Sequence, residues 1–599
     1  MGILGLKKRE CPSVSDMGVL DMKSQLRPRN RPPLILAVVL FISFTAVGST
    51  IKVTTPAIQD SSSAKSPAAP RPAALPAVNT ALPNTQGYII RSVCRSGCNY
   101  RTLQSAVDSV SADRGNVNGE IIKLGAGETF NENVRFPAFQ MATGKWIIVT
   151  TDTPASSLPD SGMRVTPSYS RVLAKISTST TEPAVQVLSR ANHLYFMGLE
   201  IAVGPSVKVF QSGVFQIGQA ETSVAALPHD IVIDRSYIHG NSTGEMRRGV
   251  KADGVSVALI NSWISDFHDT GSDTQAVWAY NTPGPILISN NELQASGENV
   301  MFGGADPTIV NAVPSDITIT KNHFTKPLSW FPRHASYDGS KWVVKNLFEI
   351  KNAQRVLIQG NIFENNWEAA QQGFALGISP RNQSGTCPWC AASDITIVNN
   401  IIRHAASAIA IAGADTYQKS LTSERIRITD NLLYDINGTN WGGGGRFVQI
   451  VNPGAPARDI VIDHNTVFHS GNILTFDGTP GSTTSNFVFT NNIVAHNAYG
   501  VNGGKIALNM WVPGYAFSKN AIVGGGTAAD YAGNFLLGGW REVQFVDSVN
   551  CPAGNMQAGN LGICALSPGS AYVKAGTDGK PLGADIKAVS DATQGTIPQ

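Results

Sequence analysis

Charge is scarce in this chain. Only 15% of its 599 residues are Asp, Glu, Lys or Arg, and they nearly cancel, leaving +3. No basic stripe runs through the central region, which argues against a nucleic-acid partner. Cysteine is also rare, at seven residues. The Cys387-Pro-Trp-Cys390 pair has no second C-x-x-C near it, so a zinc site of paired knuckles is excluded. Met, His and Cys do not cluster as soft-metal handling requires. What the chain has in quantity is glycine, 58 residues, which together with low charge suits an all-β core with many tight turns.

Between residues 231 and 522 one phrase recurs ten times: apolar–any–apolar, two residues, Asn or Ser, one residue, apolar. Asn291, Asn322, Asn361, Asn400, Asn431, Asn465, Asn492 and Asn520 hold the polar slot, and Ser236 and Ser262 hold it in the two earlier copies. Copies lie 26 to 39 residues apart, as the steps Ser236–Ser262 and Asn361–Asn400 show. Self-similarity at this period means stacked units that each bury an apolar face against the next. Alternation with a period of two inside each copy makes the unit a strand. A second alternating run precedes most copies, for instance Ala276–Asn281, Leu347–Asn352, Phe374–Ser379 and Ala408–Gly413. Each coil thus reads strand, variable turn, strand, Asn corner, short strand. The Asn fits the corner because its amide bonds backbone and the Asn of the next coil, and because it tolerates left-handed backbone. These Asn residues are read as structural.

This pattern resembles the right-handed parallel β-helix proteins of the pectate-lyase-like superfamily, over about residues 88–590. Tyr100–Asp108 followed by Ile121–Phe130 looks like the capping helix, first strand and glycine turn that open such solenoids. Leu566–Ser570, Ala575–Gly579 and Gly583–Asp585 resemble the tail that closes many of them. The expected fold is all-β, a single-stranded right-handed parallel β-helix of about 11 or more coils.

The segments before it are read as a basic leader at 1–31, a transmembrane signal anchor at 32–51 and a Pro/Ala/Ser-rich linker at 52–87; residues 591–599 form a C-terminal tail. Pro32–Ile51 is uncharged and long enough to span a bilayer. Seven basic residues before it against three acidic ones predict a cytoplasmic N-terminus and a periplasmic or extracellular solenoid. The six later cysteines fall into the local pairs Cys94/Cys98, Cys387/Cys390 and Cys551/Cys564, which suits three disulfides in an exported domain.

Alternation also decides which side chains of the upstream strands face out. With Val250, Val277, Val300, Phe348, Phe374, Ile409 and Val448 inward, the outward face carries Lys251, Asp253, Trp278, Tyr280, Met301, Glu349, Lys351, Ser379 and Gln449. Loops entering these strands add His268, Asp269, Asp273, Glu298, Trp342, Lys345, Trp367 and Gln371. Lys251, Asp253, Trp278, Tyr280, Trp342, Trp367, Gln371 and Gln449 are the expected substrate-binding residues, aromatic faces being suited to sugar rings. Charge crowds the stretch from about 251 to 381, and the Ala-rich segment beyond it reads as bland.

Cleaving a uronate-containing polysaccharide by β-elimination needs a neutralised carboxylate, a base for the C5 proton and a proton for the leaving oxygen. The cluster is similar to alginate and chondroitin lyases built on this fold, which set a Lys and an Arg on successive coils beside Ca²⁺-binding acidic residues and an Asn. That resemblance implies Lys351 as base, Arg381 as acid or carboxylate partner, and Glu298, Asn299 and Glu349 as ligands of Ca²⁺. His268 is a third catalytic candidate. The Trp-Ile-Asp-His and Arg-x-Pro-x-x-Arg signatures of pectate lyases are absent, as are the polygalacturonase elements. The expectation is a monomeric, membrane-anchored polysaccharide lyase on an acidic glycan. The alternatives are a non-catalytic glycan- or protein-binding solenoid and a hydrolase with carboxylates drawn from Asp266, Asp269, Asp273 and Glu298.

Overall fold

The computed structural model describes residues 78–112, 117–556 and 560–597. The leader, the anchor and most of the linker read from the sequence lie outside the described residues. Among the described residues no helix is long and apolar enough to cross a membrane.

Three long sheets of parallel strands wind around one interior. The first and second contain 14 strands each and the third contains 11. Each coil visits them in turn: Ile286–Ser289 in the first sheet, Glu292–Ala295 in the second and Glu298–Phe302 in the third. Each strand pairs with its counterpart one coil away, as Val257–Ile286–Ile317–Val356 shows. This is a parallel β-helix. It begins earlier than the recurring phrase, with the first-sheet strands Ile89–Val93, Glu120–Leu124, Ile147–Thr151 and Asn192–Met197.

The Asn corner is a continuous ladder. From Asn322 to Asn520 each ladder Asn is fully buried and accepts, on its side-chain oxygen, both the backbone N–H and the side-chain amide of the Asn one coil before it. Asn361 gives Asn400 bonds of 2.9 and 3.0 Å, and Asn400 gives Asn431 two of 3.0 Å. Ser262 and Ser236 extend the ladder through single bonds, and Asn534 closes it beyond the last recognised copy. The left-handed residue is not the ladder Asn but the one before it, as at Asn290, Lys321, Asn399 and His464. The bend is thus made by one residue and stabilised by the next.

Both ends are covered. The helix Leu103–Ala112 closes the N-terminal end with Leu103, Ala106, Val107 and Val110, and Glu132 accepts the free amides of Leu103 and Gln104 at 2.8 and 3.0 Å. At the other end the chain folds back along the outside of the second sheet. Leu582, Ile586 and Val589 pack there against Ile401, Leu432 and Ile493. The terminal helix runs Ile586–Thr593, past the expected domain end at 590. All three expected disulfides form, and Cys387 and Cys390 are buried in a turn, as a staple would be.

Candidate functional site

Register along the third sheet decides what the groove holds. One outward column runs Gln216, Lys251, Trp278, Met301, Glu349, Gly377, Ala410, Gln449 and Thr475. Its first half is filled by large side chains packed on one another. Trp278 donates to the Gly303 carbonyl at 2.8 Å, stacks on Tyr280 at 4.5 Å and lies 4.0 Å below the Arg248 guanidinium. Lys251 donates to the Gln219 carbonyl at 2.8 Å and stands 3.4 Å from Asp253. Burial outweighs that lysine and two backbone amides and pushes the Asp253 carboxyl up. These four predicted sugar contacts support one another and fill the groove rather than line an opening.

The opening starts where the column turns small. Gly377 and Ala410 leave a cleft of about 410 Å³ lined by Asn346, Glu349, Gln371, Gln372, Ser379, Gln449 and Asp477, among others. The Ala-rich stretch that reads as bland is therefore its floor, because absent side chains make the space. The pairing puts Gly377 opposite Glu349, with Leu376 in line with the inward Phe348. Gly377 leaves room for the Asn346 amide, whose nitrogen would lie 2.8 Å from a Cβ at that position. Arg446 donates to Gln449 at 2.6 Å and to Gln372 at 3.3 Å, so a guanidinium is fixed at the rim. Asn346, Gln372, Asp477 and Arg446 were not among the expected residues.

Glu349 joins this cleft to a charged cluster. Its carboxylate is 3.4 Å from the Lys351 ammonium, two residues along one strand. One coil back, Lys345 stands 2.5 Å from Asp273 and 3.9 Å from Glu298. Gln275 donates to the other Glu298 oxygen at 2.8 Å. Three carboxylates and two ammoniums thus share one partly dehydrated patch. Burial, reinforced by Asp273 and Glu349, pushes the Glu298 carboxyl up to about 7 against the pull of the two lysines. Asp273 goes the other way: burial would raise it, but Lys345 and Lys351 hold it below the usual range. Burial would lower Lys351, yet Glu349, Glu298 and Asp273 together hold it above an ordinary lysine. Lys351 is therefore an ammonium at neutral pH, which does not suit it as the proton-abstracting base.

Other expected residues lie elsewhere. Arg381 follows the next strand and its backbone amide donates to Lys351, but its guanidinium is bound to Asp415 at 3.0 Å and lies over Tyr417, outside the cleft lining. His268 is buried between Trp342 and Trp330, and burial lowers it. Trp367 is buried against Phe331 at 4.9 Å. Trp330, Phe331, Val344 and Trp367 form a small core with Trp342 and Trp441 at its edge, so these tryptophans anchor the long loops and do not present sugar platforms.

The expected Ca²⁺ ligand set does not assemble. Glu298 Oε1 and Glu349 Oε2 accept no hydrogen bond, which by itself would suit a hard cation. Each already has a lysine ammonium beside it. Asn299 turns inward, where its amide donates to the Leu293 and Thr325 carbonyls at 2.7 and 2.8 Å. Its oxygen accepts from Lys326, a fully buried ammonium that also donates to the Ala295, Gly297 and Asn346 carbonyls at 2.9, 2.7 and 3.2 Å. Burial pulls Lys326 down to about 7, against the pull of Glu298. This internal cation braces the backbone next to Glu298 and under Asn346, and nothing in the recurring phrase signals it.

No family model matches the chain, and no curated protein does. Solved structures of similar backbone include a mannuronic-acid-specific polysaccharide family 6 lyase from human gut microbiota, at 11% identity and a TM-score of 0.48, covering 75% of this chain and 90% of that one. Another is the catalytic unit of an α-1,3-glucanase from Streptomyces thermodiastaticus, at 10% identity and 0.44, covering 77% and 70%. A third is the A-module of a mannuronan C-5 epimerase from Azotobacter vinelandii, at 13% and 0.41, covering 72% and 94%. At such identities and scores the likeness carries no inference about substrate or reaction. The parallel β-helix is read from the strand pairing itself.

Proposed function

We propose that this protein is a carbohydrate-active enzyme, a polysaccharide lyase that cleaves a uronate-containing glycan by β-elimination. The observation that carries this is Glu349, which lines the cleft and stands 3.4 Å from the Lys351 ammonium. The glycan lies over Gly377 and Ala410, its hydroxyls meeting the amides of Asn346, Gln371 and Gln449. The Lys351 ammonium offsets the charge that grows on the uronate. Glu349 takes the C5 proton, the C4–O4 bond breaks as the C4–C5 double bond forms, and the leaving oxygen takes its proton from Lys351. These are the requirements of general acid–base catalysis with electrostatic stabilisation. The three disulfides support export to an oxidising compartment, and the sequence before residue 78 supports a membrane tether with the solenoid outside the cytoplasm.

A hydrolase is the second reading. Glu298 is pushed up and Asp273 held down within one cluster, and carboxyl groups driven apart in this way divide acid and base roles. Incubating the purified chain with polyuronates separates the two. A lyase yields the ultraviolet-absorbing unsaturated uronate, whereas a hydrolase yields reducing ends without it.

A further inference from the structure

Away from the groove, where the chain enters the first sheet, two histidines come together from adjacent coils. Asn192–Met197 and His229–Asp234 pair in parallel with Asn192 opposite His229. The His193 and His229 rings lie 5.7 Å apart, and one ligand atom each from His193, His229 and Asp230 falls within 4.8 Å of the others. All three residues are partly exposed.

The second observation concerns the ring nitrogens. His193 Nδ1 is 2.8 Å from the Asn192 side-chain oxygen, and His229 Nδ1 is 2.7 Å from Asp230 Oδ2. The Asn192 oxygen can only accept, so His193 Nδ1 carries the proton and His193 Nε2 is left with its lone pair. Metal-binding histidines are oriented and made more basic in this way. Trp146 packs edge-on against His193 at 5.1 Å and fixes that ring. Neither histidine has a role in the groove chemistry or in the interior.

We propose that His193, His229 and Asp230 form a site for a borderline divalent cation such as Zn²⁺, Ni²⁺ or Cu²⁺, with one ligand atom from each residue. Imidazole nitrogen with one carboxylate favours these ions over Ca²⁺, which prefers all-oxygen ligands. With three protein ligands and a solvent-facing side, the cation keeps a position for water or another donor. The site also stands beside the N-terminal segment, where Tyr195 donates to the Thr80 carbonyl at 3.2 Å and Tyr88 packs with Trp146 and Tyr195. A bound cation would tie two coils together at the place where that segment lies on the solenoid.

The test titrates the chelator-treated full chain with Co²⁺, following its visible absorption, and with Zn²⁺ in competition. One equivalent should bind, with at least tenfold weaker affinity in His193→Ala and His229→Ala. Asp230→Asn should weaken it less, while circular dichroism and groove activity stay as in the parent. Co²⁺ and Zn²⁺ binding that is absent, or equal in parent and both histidine variants, would overturn the proposal. Should His193→Ala fail to fold, His193→Gln keeps a hydrogen-bonding side chain of similar reach and puts the same question.

Discussion

Glu349 and Lys351 leave the same strand on the same side, 3.4 Å apart, with open space on one flank and three further charged groups on the other. The pair is conspicuous because of Gly377: an ordinary side chain there would displace the Asn346 amide and narrow the cleft.

Removing either partner should cost activity more than stability. Lys351→Met and Glu349→Gln are each expected to lower turnover by roughly 10²–10⁴-fold, the range for a group that transfers a proton in the transition state. Circular dichroism and the thermal midpoint, measured beside turnover, separate lost chemistry from lost folding.

Gly377→Ala tests the cleft itself. The new methyl meets the Asn346 amide and the Glu349 side chain and not backbone, so the fold should persist with about 1 kcal/mol or less lost. Substrate affinity should fall as Asn346 moves. Ala410→Phe, which places a ring on the cleft floor, should raise KM further with little change in the melting curve.

The charged interior gives two opposite pH limbs. The Glu298 carboxyl ordinarily titrates at 4.5 and here at about 7, so the folded chain holds the extra proton between those values. Its contribution to stability therefore falls as pH rises from about 4.5 to about 7. Lys326 moves from 10.5 to about 7, so the folded chain holds fewer protons and stability rises with pH across that upper window. Denaturation midpoints against pH should lose the lower limb in Glu298→Gln. They should lose the upper limb in Lys326→Met, which also falls throughout because four acceptors lose their donor.

Interrupting the ladder should be costly in its middle and cheap at its end. Asn400→Ala strands the Asn361 backbone amide, and an unsatisfied buried donor costs about 1–3 kcal/mol. Asn534→Ala, at the ladder's half-buried last rung, should shift the chemical denaturation midpoint less.

The ladder was legible because period-two alternation and a fixed corner residue recur. The same regularity gave the three-strand coil and the inward face, while the disulfide partners followed from the local pairing of six cysteines. The cleft was not legible, since Gly377 and Ala410 act by lacking side chains and matter only in register with Glu349 and Gln449. The tryptophans misled for the opposite reason. Large aromatics under long loops look like platforms until Phe331 and Val344, which no pattern connects to them, are found packed with Trp367 in one small core. Asn299 was misplaced because alternation alone cannot show that Lys326, from the following coil, draws it inward.

The most direct test is ultraviolet detection of unsaturated uronate released from a panel of polyuronates by the purified full chain and by its Lys351→Met variant. The account predicts release by the parent from at least one acidic glycan and its near-complete loss in the folded variant. Reducing ends without unsaturated product, no turnover on any acidic glycan, or a Lys351→Met chain as active as its parent would contradict it.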